Sequence, residues 1–358
     1  MAELLVELES IRQNTAAVKK LLDRHGLALT AVTKGCLAEP AVARAMLAGG
    51  ATALADTRDL SLRRLRQSFP EMEIQRIHLP SVTSPFEPGD VTFVSSVSSA
   101  RAVAASAVAG RRRVMLQVET GDLREGVALE DLPDLAAAVL ADERLELAGV
   151  ATNFACFQDE RVPELRARPR TGHRIARRGC GGQAFVLKRA LRASVEAVAR
   201  ATRLLLERGI PVPRVSGGNS SVLALLRGGE SLPAEVTELR CGEALLLGQD
   251  ALVYRPLAGC RQDACRLRAE VLEEYTKSLR GRRERRLVLD LGSQDLGTGA
   301  VRFVGQGLFD AGRSSDYLVM AVEADGPRLE VGDRVEMIPS YAALVAAWTS
   351  PFVEVCCV

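Results

Sequence analysis

Leu29-Thr30-Ala31-Val32-Thr33-Lys34-Gly35 is an apolar, β-branched run that ends abruptly on a lysine and a glycine. The run reads as a buried strand, with Lys34 at its C-terminal tip. Seven further runs of this texture follow, at Thr52–Ala55, Gln75–Leu79, Thr92–Ser95, Arg113–Glu119, Leu147–Thr152, Arg214–Ser216 and Thr237–Arg240. Amphipathic helical patterns lie between most of them, for example Glu39–Leu47, Arg58–Gln67, Ser99–Ala109 and Val195–Glu207. Alternating strand and helix units imply parallel pairing through crossover helices. Eight strands in roughly 240 residues fit a closed barrel better than an open doubly wound sheet, although a sequence cannot display closure. The expected fold class is therefore α/β, a (β/α)8 TIM-like barrel over residues 10–245.

Outward from the barrel the texture changes. After about Gly248, short strand-like runs replace long helical patterns: Leu267–Leu272, Leu287–Leu291, Tyr317–Glu323 and Arg334–Ile338. Turns such as Ala324-Asp325-Gly326-Pro327 separate them. A C-terminal, mostly β domain is expected over residues 246–358. At the other end, Leu4–Glu9 has strand character and is expected to join that domain, as strand 1–9. Ser10 reads as the N-cap of a following helix, Ser10–Leu22.

The chain has 358 residues, 47% hydrophobic and 26% charged, with a net charge of +2. So even a balance argues against nucleic acid or a membrane surface as partner. No apolar stretch reaches membrane-spanning length, and Met1-Ala2-Glu3-Leu4 lacks a signal-peptide pattern, so a cytoplasmic location is expected. The eight cysteines form no C-x-x-C pair, and only three histidines accompany them. Reduced thiols and no metal site are the expectation. One local exception to the charge balance spans residues 159–194, with ten Lys/Arg against three Asp/Glu. It reads either as a solvated insertion or as an anion-binding lid over the barrel mouth.

Chemistry is expected where barrel enzymes keep it, at the C-terminal ends of the strands. Desolvation there would favour the neutral, nucleophilic amine of Lys34, although position alone equally allows a lysine that snorkels to solvent. The seventh strand runs into Ser216-Gly217-Gly218-Asn219-Ser220-Ser221 and the eighth into Cys241-Gly242-Glu243. Glycine lets backbone N–H groups approach a ligand, and these two loops are where barrels commonly bind phosphate. A phosphate loop together with a reactive amine points to pyridoxal 5'-phosphate. Arg240, at the tip of the eighth strand, would then face the pyridine nitrogen. Because it keeps its proton, it would leave that nitrogen unprotonated and discourage transamination. An ordinary surface arginine is the alternative.

Several stretches together resemble the alanine racemase family. They are Val6–Asn14, Val32-Thr33-Lys34, Glu119-Thr120-Gly121-Asp122-Leu123-Arg124-Glu125-Gly126, Gly218-Asn219-Ser220-Ser221 and Leu239-Arg240-Cys241-Gly242. The ornithine racemase branch is more similar still, through Ala151–Phe157, Ser293-Gln294-Asp295, Gly312–Asp316 and Trp348–Val353. The resemblance implies a racemase acting on an amino acid, of basic type such as ornithine or lysine, and working as a homodimer with shared sites. Lys34 would carry the cofactor and act as one base. Asn153, Asn219, Ser220, Arg240 and Gly242 would hold the cofactor, while Arg124 and Ser315 would contact substrate. The segment Gly312–Asp316 would cross to the second chain. There the ionisable chemistry of Asp316 suits the second proton-transfer group, with Tyr317 and Cys156 in reserve; the alternative is a structural carboxylate that bridges Arg124 or caps a turn. Four positions depart from the family or branch pattern: Ala38, Ser293, Tyr317 and Phe352. Two other readings are an aldolase or decarboxylase using the same cofactor, and a non-catalytic carrier of it. Scarce histidine disfavours a metal-dependent aldolase, and the second domain disfavours a single-barrel carrier.

Overall fold

The computed structural model describes residues 1–107, 110–154, 180–279, 282–305 and 307–358. The first strand, β1 (Ala2–Val6), stands outside the barrel. All eight expected barrel strands then form: β2 (Ala28–Val32), β3 (Ala53–Asp56), β4 (Ile74–Arg76), β5 (Val91–Val94), β6 (Arg112–Gln117), β7 (Leu145–Ala151), β8 (Val215–Asn219) and β9 (Glu238–Cys241). They pair in parallel, each with the next, and β9 returns to β2 to close the cylinder. Every residue of β3, β4, β5 and β9 is buried. Strands buried on both faces show no alternation, so β3 and β5 read only as short, mostly apolar runs, while β4 and β9 bury polar side chains as well, Gln75, Arg76, Glu238 and Arg240.

Helices α1 (Leu8–Asp23), α2 (Pro40–Ala48), α3 (Asp59–Ser68), α4 (Val97–Ala105), α5 (Leu132–Leu140), α6 (Cys180–Leu206), α7 (Leu223–Leu226) and α8 (Glu243–Leu247) accompany the barrel strands. Three differ from their sequence reading. Ser10 is not a cap: α1 starts at Leu8 after Glu7, and the Ser10 hydroxyl donates to the Glu7 carboxylate at 3.1 Å. In α4 the cap is Ser96, whose side chain accepts from Ser99 N at 3.1 Å, and the helix stops at Ala105. Finally, the basic stretch 159–194 is no single insertion, because from Cys180 onward it is the front of α6. Its earlier part, and Cys156, lie outside the described residues.

The second sheet runs in the order β12-β15-β10-β11-β14-β13, with all neighbours antiparallel. Its strands are β10 (Cys265–Leu279), β11 (Arg282–Leu289), β12 (Val301–Phe303), β13 (Leu308–Arg313), β14 (Leu318–Val322) and β15 (Arg334–Pro339). Strand β1 pairs antiparallel with β10 and parallel with β16 (Val353–Cys357). Two helices interrupt this β texture, α9 (Ser293–Leu296) and α10 (Tyr341–Thr349). The second was not legible, since Tyr341-Ala-Ala-Leu-Val-Ala-Ala-Trp-Thr is apolar almost throughout and shows no polar face. Its start is marked by Ser340, whose side chain accepts from Ala343 N.

One large core joins barrel and sheet, and a smaller one of Val91, Phe93, Met115, Ala148 and Ala151 lies apart from it. Among the described residues no helix is long and apolar enough to cross a membrane.

Candidate active site

The strand tips at the C-terminal mouth surround a cavity of about 520 Å³. Lys34 lines it, in the short helical turn that directly follows β2. Just before it, the Thr33 hydroxyl donates to Asp56 at 2.7 Å, and Asp56 also accepts from Thr57 N at 2.6 Å. Burial pushes the Asp56 carboxyl up from its usual range, against these hydrogen bonds. The tip of β3 thereby fixes the approach to Lys34. Leu37 and Ala38 then take left-handed conformations, φ 48° and 55°, as the chain turns away into α2. Such conformations are costly for residues with a Cβ and persist only where surroundings enforce them.

Across the β8 and β9 tips, the backbone N–H groups of Gly242 and Ala244 donate to the Ser220 hydroxyl at 3.3 and 3.2 Å. Gly242 is required by close packing, because a Cβ there would lie 2.7 Å from the Val32 carbonyl oxygen of β2. Gly218 supplies the turn with φ +125°. Beside this loop, Arg240 is buried on β9. Its guanidinium donates to Ser216 and to the Thr152 carbonyl, the latter at 2.7 Å, and lies 4.8 Å from the centre of the Phe93 ring. A desolvated guanidinium over an aromatic face gains about 2 kcal/mol. Phe93 belongs to the small second core, so the barrel's own filling forms a seat for the cation.

The β7 and β8 tips are tied together by amides. Asn219 Nδ2 donates to Asn153 Oδ1 and to the Phe154 carbonyl, both at 2.8 Å, and Asn153 Nδ2 donates to buried Asp122 at 3.3 Å. Arg124, from the loop after β6, turns the Nε–Nη2 edge of its guanidinium onto Glu125, with Nη2 to Oε1 at 2.5 Å.

Of the residues expected from sequence, Lys34, Arg124, Asn153, Asn219, Ser220, Arg240 and Gly242 all line this one cavity. Ser315 and Asp316 do not. They are exposed in the second sheet's loops, where Asp316 accepts from Gln294 at 2.6 Å and from Ser315 at 2.7 Å. The motif segments Gly292–Asp295 and Gly312–Asp316 nevertheless meet, through Ser293 N to Ser314 O and Gln294 N to Ser315 O. Buried Asp295 anchors them, accepting from Gly292 N at 2.9 Å and from Ser350 at 2.7 Å. Sequence reading missed Tyr341, which enters the cavity from the first turn of α10 and packs against Gly35. No local signal could have found it, since about 300 residues separate it from Lys34. Phe93, Glu125 and Glu243 were missed as well.

The chain is 27% identical to the lysine racemase of Thermotoga maritima, over 98% of this chain and 97% of that protein. It is 25% identical to the ornithine racemase of Acetoanaerobium sticklandii, over 98% of both. Its fold matches the alanine racemase of Corynebacterium glutamicum with a TM-score of 0.69, at 18% identity and covering 100% and 99% of the two chains. It also matches the Bartonella henselae alanine racemase with covalently bound pyridoxal phosphate, with a TM-score of 0.63 at 16% identity, over 100% and 99% of the chains. Residues 6–250, which span the whole barrel, match the model of the alanine racemase N-terminal domain, and the chain belongs to that family.

Proposed function

We propose that this protein is a pyridoxal-phosphate-dependent racemase that interconverts the L- and D-forms of a basic amino acid such as lysine or ornithine. The observation that carries the reading is that Lys34, Arg240 and the Ser220–Gly242 loop pair line one cavity. The fit to the cofactor rests on the chemistry of that lining. Ser220, whose hydroxyl accepts from the backbone N–H groups of Gly242 and Ala244 and keeps its own proton to donate, lines the cavity together with Lys34, and the volume suits a small phosphorylated ring. Ser220 and the backbone at Gly242 would hold the phosphate. Arg240 would face the ring nitrogen and, held by Ser216 and Thr152, could not swing away. Asn153 and Asn219, which brace the β7 and β8 tips, would help hold the cofactor between them.

The cofactor, when bound, withdraws electron density from the substrate α-carbon and so acidifies its proton. Lys34 Nζ takes or returns that proton on one face. A racemase also needs a donor on the opposite face, and we assign it to Asp316 from a second copy of the chain, with Ser315 beside it. The exposure of both residues in a single chain supports a homodimer with shared sites. Six described cysteines are free, which fits work in the reducing cytoplasm.

The test is incubation of the cofactor-loaded protein with L-lysine, L-ornithine and L-alanine, followed by chiral chromatography. D-lysine or D-ornithine is the expected product, and no D-product from any of the three overturns the reading. Mixing Lys34→Ala with Asp316→Ala chains, each inactive alone, should restore about a quarter of the activity through hybrid dimers. No recovery would remove Asp316 from the shared site.

A further inference from the structure

Resting on the racemase reading, we infer that Gln117 is a further ligand-binding residue. Its side-chain amide donates to an oxygen of the bound pair, either the ring oxygen of the cofactor or the α-carboxylate of the amino acid. Position comes first. Gln117 is the last residue of β6, at the C-terminal mouth of the barrel. Side chains alternate across a strand, so Gln117 shares the face of Met115 and not that of Leu116. Met115 belongs to the small core with Phe93, while Leu116 packs in the large one. Gln117 therefore points inward, one layer nearer the mouth than Met115, and it lines the cavity.

Its burial and its bonding do not match. Gln117 is 4% exposed, yet no side-chain hydrogen bond joins it to any described residue. The other two amides of the cavity behave differently. Asn219 donates to Asn153 and to the Phe154 carbonyl, and so ties β8 to β7. Gln117 makes no such tie. A primary amide carries two N–H donors and an acceptor oxygen, and leaving them unmatched in a buried place is costly. A ligand that meets them removes that cost, so the amide favours a filled cavity. The chemistry of the pair narrows the contact. In the racemase reading the phosphate goes to Ser220 and Gly242, the ring nitrogen to Arg240 and the amino nitrogen to the cofactor itself. The ring oxygen and the α-carboxylate remain, whatever the amino acid. Both accept hydrogen bonds, and both suit the N–H donors of Gln117.

Two variants and two readings decide the matter. Gln117→Met keeps the length of the side chain and removes its donors. Gln117→Glu keeps the shape and puts an acceptor where the donors stood. Equilibrium dialysis with pyridoxal phosphate reads the ring oxygen, and absorbance titration of the cofactor-loaded protein with L-lysine reads the carboxylate. Gln117→Met should weaken one of the two about tenfold, and Gln117→Glu should weaken the same one at least as much. A loss in dialysis assigns the ring oxygen, and a loss confined to the lysine titration assigns the carboxylate. The cofactor-free variants should melt as the wild type does. Should Gln117→Met fail to fold, Gln117→Glu carries both readings. Unchanged binding in both, tighter binding by Gln117→Glu, or equal losses that follow a lowered melting temperature would overturn the inference. Binding weakened as expected in a protein that yields no D-amino acid would overturn the racemase reading alone. A wild-type chain that binds no pyridoxal phosphate overturns both.

Discussion

The two ends of the barrel use charge in opposite ways. At the N-terminal end Glu73, just before β4, accepts from Arg214 at 2.6 and 3.1 Å, from Arg113 at 2.9 Å and from Gln75 at 3.1 Å. Glu238 completes the group, accepting from Thr30 at 3.3 Å with Arg214 3.8 Å away. There the charged groups close over one another. At the C-terminal end Lys34, Arg124, Glu125, Arg240 and Glu243 line a cavity instead. The same cylinder, with the same strands, thus has one end where ion pairs hold staves together and another where charges face a space the size of a small molecule. The difference teaches that function in this fold follows strand polarity, since the loops after the strands carry the cavity and the residues before them carry the clasp.

The largest effect should separate the two ends outright. Lys34→Ala should lower racemisation by about 10³-fold or more, while the melting temperature moves by a few degrees at most. Borohydride reduction of the yellow holoenzyme should tag Lys34. A tag on Lys19 or Lys188 would break the comparison.

The converse variant is Glu73→Gln, which leaves Arg214 only the longer contact to Glu238 at 3.8 Å and Arg113 only the one to Glu146 at 3.9 Å. It should cost about 3 kcal/mol in denaturant unfolding at pH 7 and spare turnover of the folded enzyme. The acid limb sharpens this. Burial by itself would push the Glu73 carboxyl up, but Arg214, Gln75 and Arg113 outweigh it and hold it down to about 2, against an ordinary 4.5. A depressed value stabilises the folded state above pH 4.5, and the benefit is lost as pH falls towards 2. The gap between wild type and Glu73→Gln should therefore narrow across that window. A gap constant with pH would mean that shape, and not charge, sustains the clasp.

Smaller effects grade each end. Ser220→Ala removes the hydroxyl donor of the loop and should weaken cofactor binding about tenfold, read by equilibrium dialysis. Arg113→Gln deletes a single, half-exposed arm of the clasp and should cost under about 1 kcal/mol. If it costs as much as Glu73→Gln, the cluster acts as one unit.

Much of the mouth was legible in advance because its residues sit at fixed offsets from strands. Lys34, Asn219, Ser220 and Gly242 end or closely follow a barrel strand, Arg240 is the last residue but one of β9, and parallel strands point their ends the same way. Asn153 and Arg124 were carried by motif. The clasp was not legible, since Glu73, Arg113, Arg214 and Glu238 are ordinary charges in sequence and become partners only when eight strands close. Nor was the separation of Asp316 from the cavity of its own chain.

By itself the sequence determined the eight barrel strands, most of the helices between them and the order in which they follow one another. Burial on both faces writes an apolar run, burial on one face of a helix writes a 3.6-residue period, and both are local. Only the tertiary structure decided what meets what. Tyr341 reaches Gly35, Asp56 holds Thr33, Asp295 holds Ser350, and Glu125 lines one cavity with Lys34. Such contacts depend on closure of the barrel and docking of the second sheet. Closure pairs residues far apart in the chain, and no short-range periodicity encodes which loops it brings face to face.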